Sequence, residues 1–149
     1  MPERHVVLGV SGSIAAYKAV DLASKLTQAG VAVHTVMTKS ATKLVGPASF
    51  RTITGLPVST KMFELTNPFS IEHISLSETA DLMIIAPATA NFLAKAAHGI
   101  GDELLSTLLL AFSGPVVAIS TENVCTPVLV TILSVWMVAA CVPPKLATT

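Results

Sequence analysis

Four short apolar runs without polar alternation, separated by stretches of helical spacing, constrain this chain more than any other feature. They are VVLGV (6–10), VAVHTVM (31–37), LMIIAPA (82–88) and PVVAIS (115–120). A strand wetted on one face alternates apolar with polar residues. An unbroken apolar run suits a strand covered on both faces. After the first run, IAAYKAVDLASKLTQAG sets Ile14, Tyr17, Val20, Leu22 and Leu26 at helical spacing, with Lys18, Asp21, Lys25 and Gln28 toward water. Gly30 is placed to end that helix. Ser40 is placed to cap a short helix through Val45, and Pro47 to start another that ends near Gly55. Residues 56–70, with Pro57 and Pro68, read as a loop or an edge strand. NFLAKAAHG is a helix closed by Gly99, and GDELLSTLLLAFSG a helix from Gly101 or Asp102 to Gly114. Strands alternating with helices predict a single α/β domain, a three-layer doubly wound parallel sheet of flavodoxin-like or Rossmann-like kind.

Composition bounds the function. Of 149 residues, 52% are apolar and 12% charged, with Lys plus Arg equal to Asp plus Glu. Without a basic face, no nucleic-acid partner is expected. Cys125 and Cys141 are too few for a disulfide framework and lack metal-site spacing. The first apolar run breaks at Gly12 and Ser13 and flows into a helix, unlike a signal peptide, so a cytoplasmic setting is expected. The uncharged segment 124–142 approaches the length of a membrane span. Pro127 interrupts it early, and a buried strand or core helix is the expected reading, with no membrane partner.

Parallel sheets bind ligands beyond the carboxyl ends of their strands. After the first strand, GVSGSIAAYK offers a glycine for close backbone approach, the hydroxyls of Ser11 and Ser13, and the amides that begin a helix. Together these suit an anion, most simply a phosphate. The segment lacks the three spaced glycines of a dinucleotide site and the Gly-Lys-Ser/Thr of a nucleotide triphosphate loop. A tight strand-to-helix turn would look the same. After the second strand, Thr38 either meets the same ligand or caps a helix. After the third, APATAN has small side chains that leave room for something flat, with Thr89 and Asn91 as polar contacts or Asn91 as a cap. His73 is a candidate proton-transfer group because histidine titrates near neutrality; an ordinary surface histidine is the competing reading. His5, His34 and His98 lack such a setting and read as structural.

These segments resemble the homo-oligomeric flavin-containing cysteine decarboxylases, in their phosphopantothenoylcysteine-acting branch. GVSGSIAAYK, VMTKSA, SFRTITGLPV, the long stretch from IEHISLSETAD through LLLAF, and PVV carry the likeness across roughly residues 5–117. It implies FMN as cofactor. The Gly12–Ser13 turn and Ser11 would hold the phosphate, Thr38 with Ala88, Thr89, Ala90 and Asn91 would line the flavin, and Ile14 would be a further cofactor contact. His73 stands where the family keeps its catalytic histidine. The implied activity is FMN-dependent decarboxylation of a phosphorylated cysteine-amide substrate. The implied assembly is a homotrimer, or a dodecamer of trimers, with FMN between subunits. The apolar composition suits such an oligomer.

Beyond the fourth strand the likeness stops. In STENVCTP only Asn123 coincides with the family motif whose asparagine grips the substrate carboxylate. That makes Asn123 the second candidate catalytic residue. Neither Cys125 nor Cys141 falls where the family places its proton-donating flap cysteine. Residues 1–117 therefore read as the flavoprotein core, and residues 118–149 as a divergent or frame-shifted part of the same domain. The expected function is an active or impaired decarboxylase. The alternative is a catalytically inactive FMN-binding or regulatory subunit.

Overall fold

The computed structural model describes residues 4–62, 77 and 79–120. His73, Asn123, both cysteines and the apolar segment 124–142 lie outside the described residues. Among the described residues no helix is long and apolar enough to cross a membrane.

The apolar runs pair as a parallel sheet. In chain order the strands are β1 (Arg4–Val10), β2 (Val31–Met37), β3 (Val58–Ser59), β4 (Leu82–Ile85) and β5 (Val116–Ala118). Their spatial order is β3-β2-β1-β4-β5, and every pairing is parallel. The helices are α1 (Ala16–Gln28), α2 (Pro47–Thr54), α3 (Ala90–Ala97) and α4 (Leu104–Ala111), with a 3₁₀ turn at Ala41–Lys43. Strand alternation sends successive residues to opposite faces. Leu8, Val10, Val33 and Met37 pack with α1 and α2 residues, including Phe50. Val7, Val36, Met83 and Ile85 pack with Phe92, Leu93, Leu105 and Leu108 from α3 and α4. The expected three-layer doubly wound architecture is therefore present.

Four local expectations change. The buried stripe of α1 is Ala16, Ala19 and Ala23, whereas Ile14 and Tyr17 are 82% and 61% exposed. Small side chains at helical spacing let the helix settle close to the sheet, and Val20, Leu22 and Leu26 of the expected stripe, partly buried, pack against the same core. The third apolar run is a strand only to Ile85, and a cis Ala86–Pro87 peptide follows. Ser40 makes no side-chain cap; Thr38 does that work, its Oγ1 accepting from the Ala41 amide at 3.2 Å. Neither Gly101 nor Asp102 caps α4. Glu103 does, in a reciprocal capping box with Ser106. The helix stops at Ala111 because the backbone turns extended at Phe112, whose ring joins the core.

Pro47 opens α2 and Gly55 closes it, as expected. Val58–Ser59 forms the edge strand allowed for that region. Gly30 follows the α1 cap with φ +79°, a left-handed conformation that glycine enters without a Cβ clash.

Candidate functional site

The sheet order places β2 on one side of β1 and β4 on the other. The chain leaving β1 and the chain leaving β4 turn to opposite sides there, which opens a crevice at the carboxyl edge. A cleft of about 360 Å³ occupies this position. Its walls are Ser11 and Gly12 after β1, Thr38 and Ser40 after β2, and Thr89 to Phe92 at the start of α3, with Lys95 and Glu103 at one side. That volume lies within the range of small-molecule and cofactor sites.

The sheet ladder continues into the loops and holds them in place. The Thr38 amide donates to the Val10 carbonyl at 3.0 Å, and the Ala86 amide to the Gly9 carbonyl at 2.8 Å. The Ala88 amide donates to the Ile119 carbonyl at 2.8 Å. Ser11 joins the first and third loops. Its amide and hydroxyl both donate to the Pro87 carbonyl, at 3.2 and 2.6 Å, and its Oγ accepts from the Thr89 amide at 2.9 Å. The single hydroxyl proton of Ser11 is thus already engaged. Ser11 builds the cleft wall rather than offering a donor to an anion.

Gly12 fixes the distance between the first and second loops. A Cβ there would lie 2.3 Å from Ser40 Cβ, 3.0 Å from the Ser40 carbonyl carbon and 3.2 Å from its Cα. No residue larger than glycine fits without moving backbone. The Ser13 amide turns inward to the Ser11 carbonyl at 2.9 Å.

The start of α3 adds donors. Thr89 is its N-cap, with Oγ1 accepting from the Phe92 amide at 3.2 Å. The capping role weighed for Asn91 belongs to Thr89. The first helical amides, at Ala90 and Asn91, have no carbonyl within the helix to bond and open on the cleft. The Thr38 hydroxyl uses a lone pair on Ala41, which leaves its proton for the cleft.

Of the nine expected cofactor contacts, Ser11, Gly12, Thr38, Thr89, Ala90 and Asn91 line this one space. Ser13, Ile14 and Ala88 do not. Ala88 is buried beneath the loop, and Ile14 projects outward beside it. Ser40, Phe92, Lys95 and Glu103 also line the cleft, though the sequence reading did not select them as contacts. Lys95 was detectable in principle: it stands four residues after Asn91, one turn along the same helix face. Its Nζ lies 2.8 Å from Asp102 and 3.6 Å from Glu103. The hydrogen bond to Asp102, with help from the Glu103 charge, raises Lys95 above its ordinary pKa. The same bond holds Asp102 below the usual carboxylate value. Lys95 is thus a fixed cation that also ties α3 to the start of α4.

The sequence profile of the Flavoprotein family matches residues 1–128. The chain is 48% identical over 121 residues to the coenzyme A biosynthesis bifunctional protein CoaBC of Bacillus subtilis, covering 81% of this chain and 30% of that protein. It is 44% identical over 113 residues to the CoaBC protein of Mycolicibacterium smegmatis, covering 76% and 27%. The chain thus spans less than a third of the length of these relatives. Among solved structures, the FMN-dependent cysteine decarboxylase SpaF superposes with a TM-score of 0.77 at 33% identity, covering 91% of this chain and 79% of that one. A PPC decarboxylase variant complexed with pantothenoylaminoethenethiol superposes with a TM-score of 0.70 at 27% identity, covering 93% and 79%. With its profile matched along most of its length, the chain belongs to the Flavoprotein family.

Proposed function

We propose that this chain binds FMN in the carboxyl-edge cleft and decarboxylates 4′-phosphopantothenoylcysteine to 4′-phosphopantetheine in coenzyme A biosynthesis. The observation that carries the reading is the convergence of the loops after β1, β2 and β4 on one cleft, with small side chains and outward-facing donors. The named relatives support the choice of cofactor and substrate.

The residues fit FMN. Gly12 and Ser40 make a close-walled cradle that a Cβ would fill. The amides of Ala90 and Asn91, with the Thr38 and Ser40 hydroxyls, can hold the phosphate. Ala90 and its small neighbours leave width for the ring, and Thr89 and Asn91 edge it. When bound, FMN supplies the two-electron oxidation and reduction that protein side chains lack. In this reading His73 moves protons at the substrate and Asn123 holds its carboxylate. The protein's own part is to orient the cysteine end, keep water from it and control its protons. A homotrimer or a dodecamer of trimers in the cytoplasm completes the reading.

Purified protein incubated with FMN and 4′-phosphopantothenoylcysteine should release carbon dioxide, and the product mass should match 4′-phosphopantetheine. A product lighter by two hydrogens would mean that the final reduction does not occur. Flavin absorbance that stays with the protein while no carbon dioxide appears would replace this reading with an inactive FMN-binding subunit.

A further inference from the structure

The amino ends of the strands, opposite the cleft, carry a histidine pair. His5 lies in β1 and His34 in β2. In the parallel register His34 stands beside Val7, two residues on from His5. Alternation therefore puts both imidazoles on one face of the sheet, diagonal to one another. It is the face of Val7 and Val36, covered farther along by α3 and α4. Both histidines are half-buried. His5 Nδ1 is 3.2 Å from His34 Nε2, and the rings stack with centroids 5.5 Å apart and planes 27° from parallel.

Two neutral imidazoles fill such a gap with one shared proton, donor on one ring and lone pair on the other. The same gap matches the bite of a four-coordinate divalent ion. With metal–nitrogen bonds of about 2.0–2.1 Å and tetrahedral angles, two donor nitrogens stand roughly 3.3–3.4 Å apart. Small side-chain rotations would aim both lone pairs at one point without moving either strand. The backbone is already fixed. The His5 amide donates to Asp81 Oδ2 at 2.9 Å, and its carbonyl accepts from the Asp81 amide at 2.8 Å. The β1–β2 ladder holds His34 in register.

We propose that His5 and His34 form a bidentate site for a divalent transition-metal ion of the zinc class, remote from the cofactor cleft. Six residues of extended chain separate His5 from Ser11, roughly 20 Å. Among the described residues no third histidine, cysteine or carboxylate completes a cage. Imidazole donors select zinc, nickel or copper over magnesium and calcium, which prefer oxygen. An ion held only by the native register clamps β1 to β2 and stabilises the folded chain.

The test titrates the purified full chain with zinc chloride or nickel sulfate and follows thermal unfolding. Tm should rise with zinc or nickel and not with magnesium. His5→Gln and His34→Gln should each weaken the response at least about tenfold, with far-UV circular dichroism reporting whether they fold. In the unsubstituted protein, the imidazole nitrogen signals of His5 and His34 should shift before those of His98, whose Nδ1 bonds the Ala94 carbonyl. A Tm indifferent to zinc and nickel overturns the proposal. So does a metal response that survives in both folded variants. If neither variant folds, the wild-type signals decide, and movement at His98 first, or at none of the three, overturns it.

Discussion

Replacing Gly12 by alanine tests whether the spacing of two loops sets the cofactor site. The added methyl would meet Ser40 Cβ at 2.3 Å and two Ser40 main-chain carbons at 3.0 and 3.2 Å. Carbon atoms rest about 3.5–4.0 Å apart, so the loops must separate by roughly 1 Å or more. Forced insertion of this kind costs about 1–3 kcal/mol of stability. In a chain this size each kcal/mol lowers Tm by roughly 3 °C. Separation also carries the Ser40 hydroxyl away from the α3 amides across the cleft. Loss of one hydrogen bond to a charged phosphate is worth about 1.5–3 kcal/mol, or a tenfold to hundredfold weaker FMN. Quenching of flavin fluorescence gives the affinity, and calorimetry gives Tm. A Gly12→Ala/Ser40→Gly double variant removes the shortest contact and keeps the main-chain ones, so it should recover stability only in part. Unchanged flavin affinity and Tm in Gly12→Ala would refute the reasoning, because the loops would then be shown to move apart freely.

Three further outcomes are expected. Ser11→Ala leaves the Thr89 amide without its acceptor and the buried Pro87 carbonyl with only the residue 11 amide, and should cost about 1–3 kcal/mol in urea unfolding; a midpoint equal to wild type would show that the loops stay joined without it. Thr35 is buried with its hydroxyl unpartnered among the described residues, so Thr35→Val should raise stability by about 1 kcal/mol, and a lower unfolding midpoint would contradict this. For the Lys95–Asp102 pair the pH dependence has a definite sign. The Asp102 contribution is present above its unfolded value of 3.8 and lost as pH falls through its lowered folded value. The Lys95 contribution is present below 10.5 and lost as pH rises through its raised folded value. The Tm difference between wild type and Asp102→Asn should therefore be flat through neutrality and vanish in strong acid; a difference that persists there would mean that the pair acts through packing alone.

The sheet was legible because unalternating apolar runs have few other destinations. The helix ends at Gly30, Gly55 and Gly99 were legible because glycine there has a backbone reason. The burial of α1 was legible in part: Val20, Leu22 and Leu26 pack against the core as their spacing implies, while its fully buried positions are alanines. Ile14 and Tyr17 fit helical spacing, yet alanine fits the sheet more closely. The start of α4 was misplaced because Asp102 and Glu103 are both plausible caps, and only the fold shows that Asp102 is taken by Lys95. Most of the cleft wall was readable from strand ends. Ser11 was selected as a phosphate contact, but its partners lie 76 and 78 residues away and sequence spacing does not reveal them. Lys95 follows Asn91 by one helical turn and carries that sign of its place, whereas Ser40 and Glu103 reach the cleft through tertiary placement alone.

The Ser11 seam also has a bearing on how the chain is made. A nascent polypeptide that has not yet supplied Pro87 and Thr89 has no third wall and no α3 amides facing Gly12. The cleft is assembled from distant segments, and closing such long loops comes late and slowly. A ligand that needs all three walls cannot guide the early stages of folding. It can only trap the sheet once β4 has docked beside β1, and at that moment it begins to oppose unfolding.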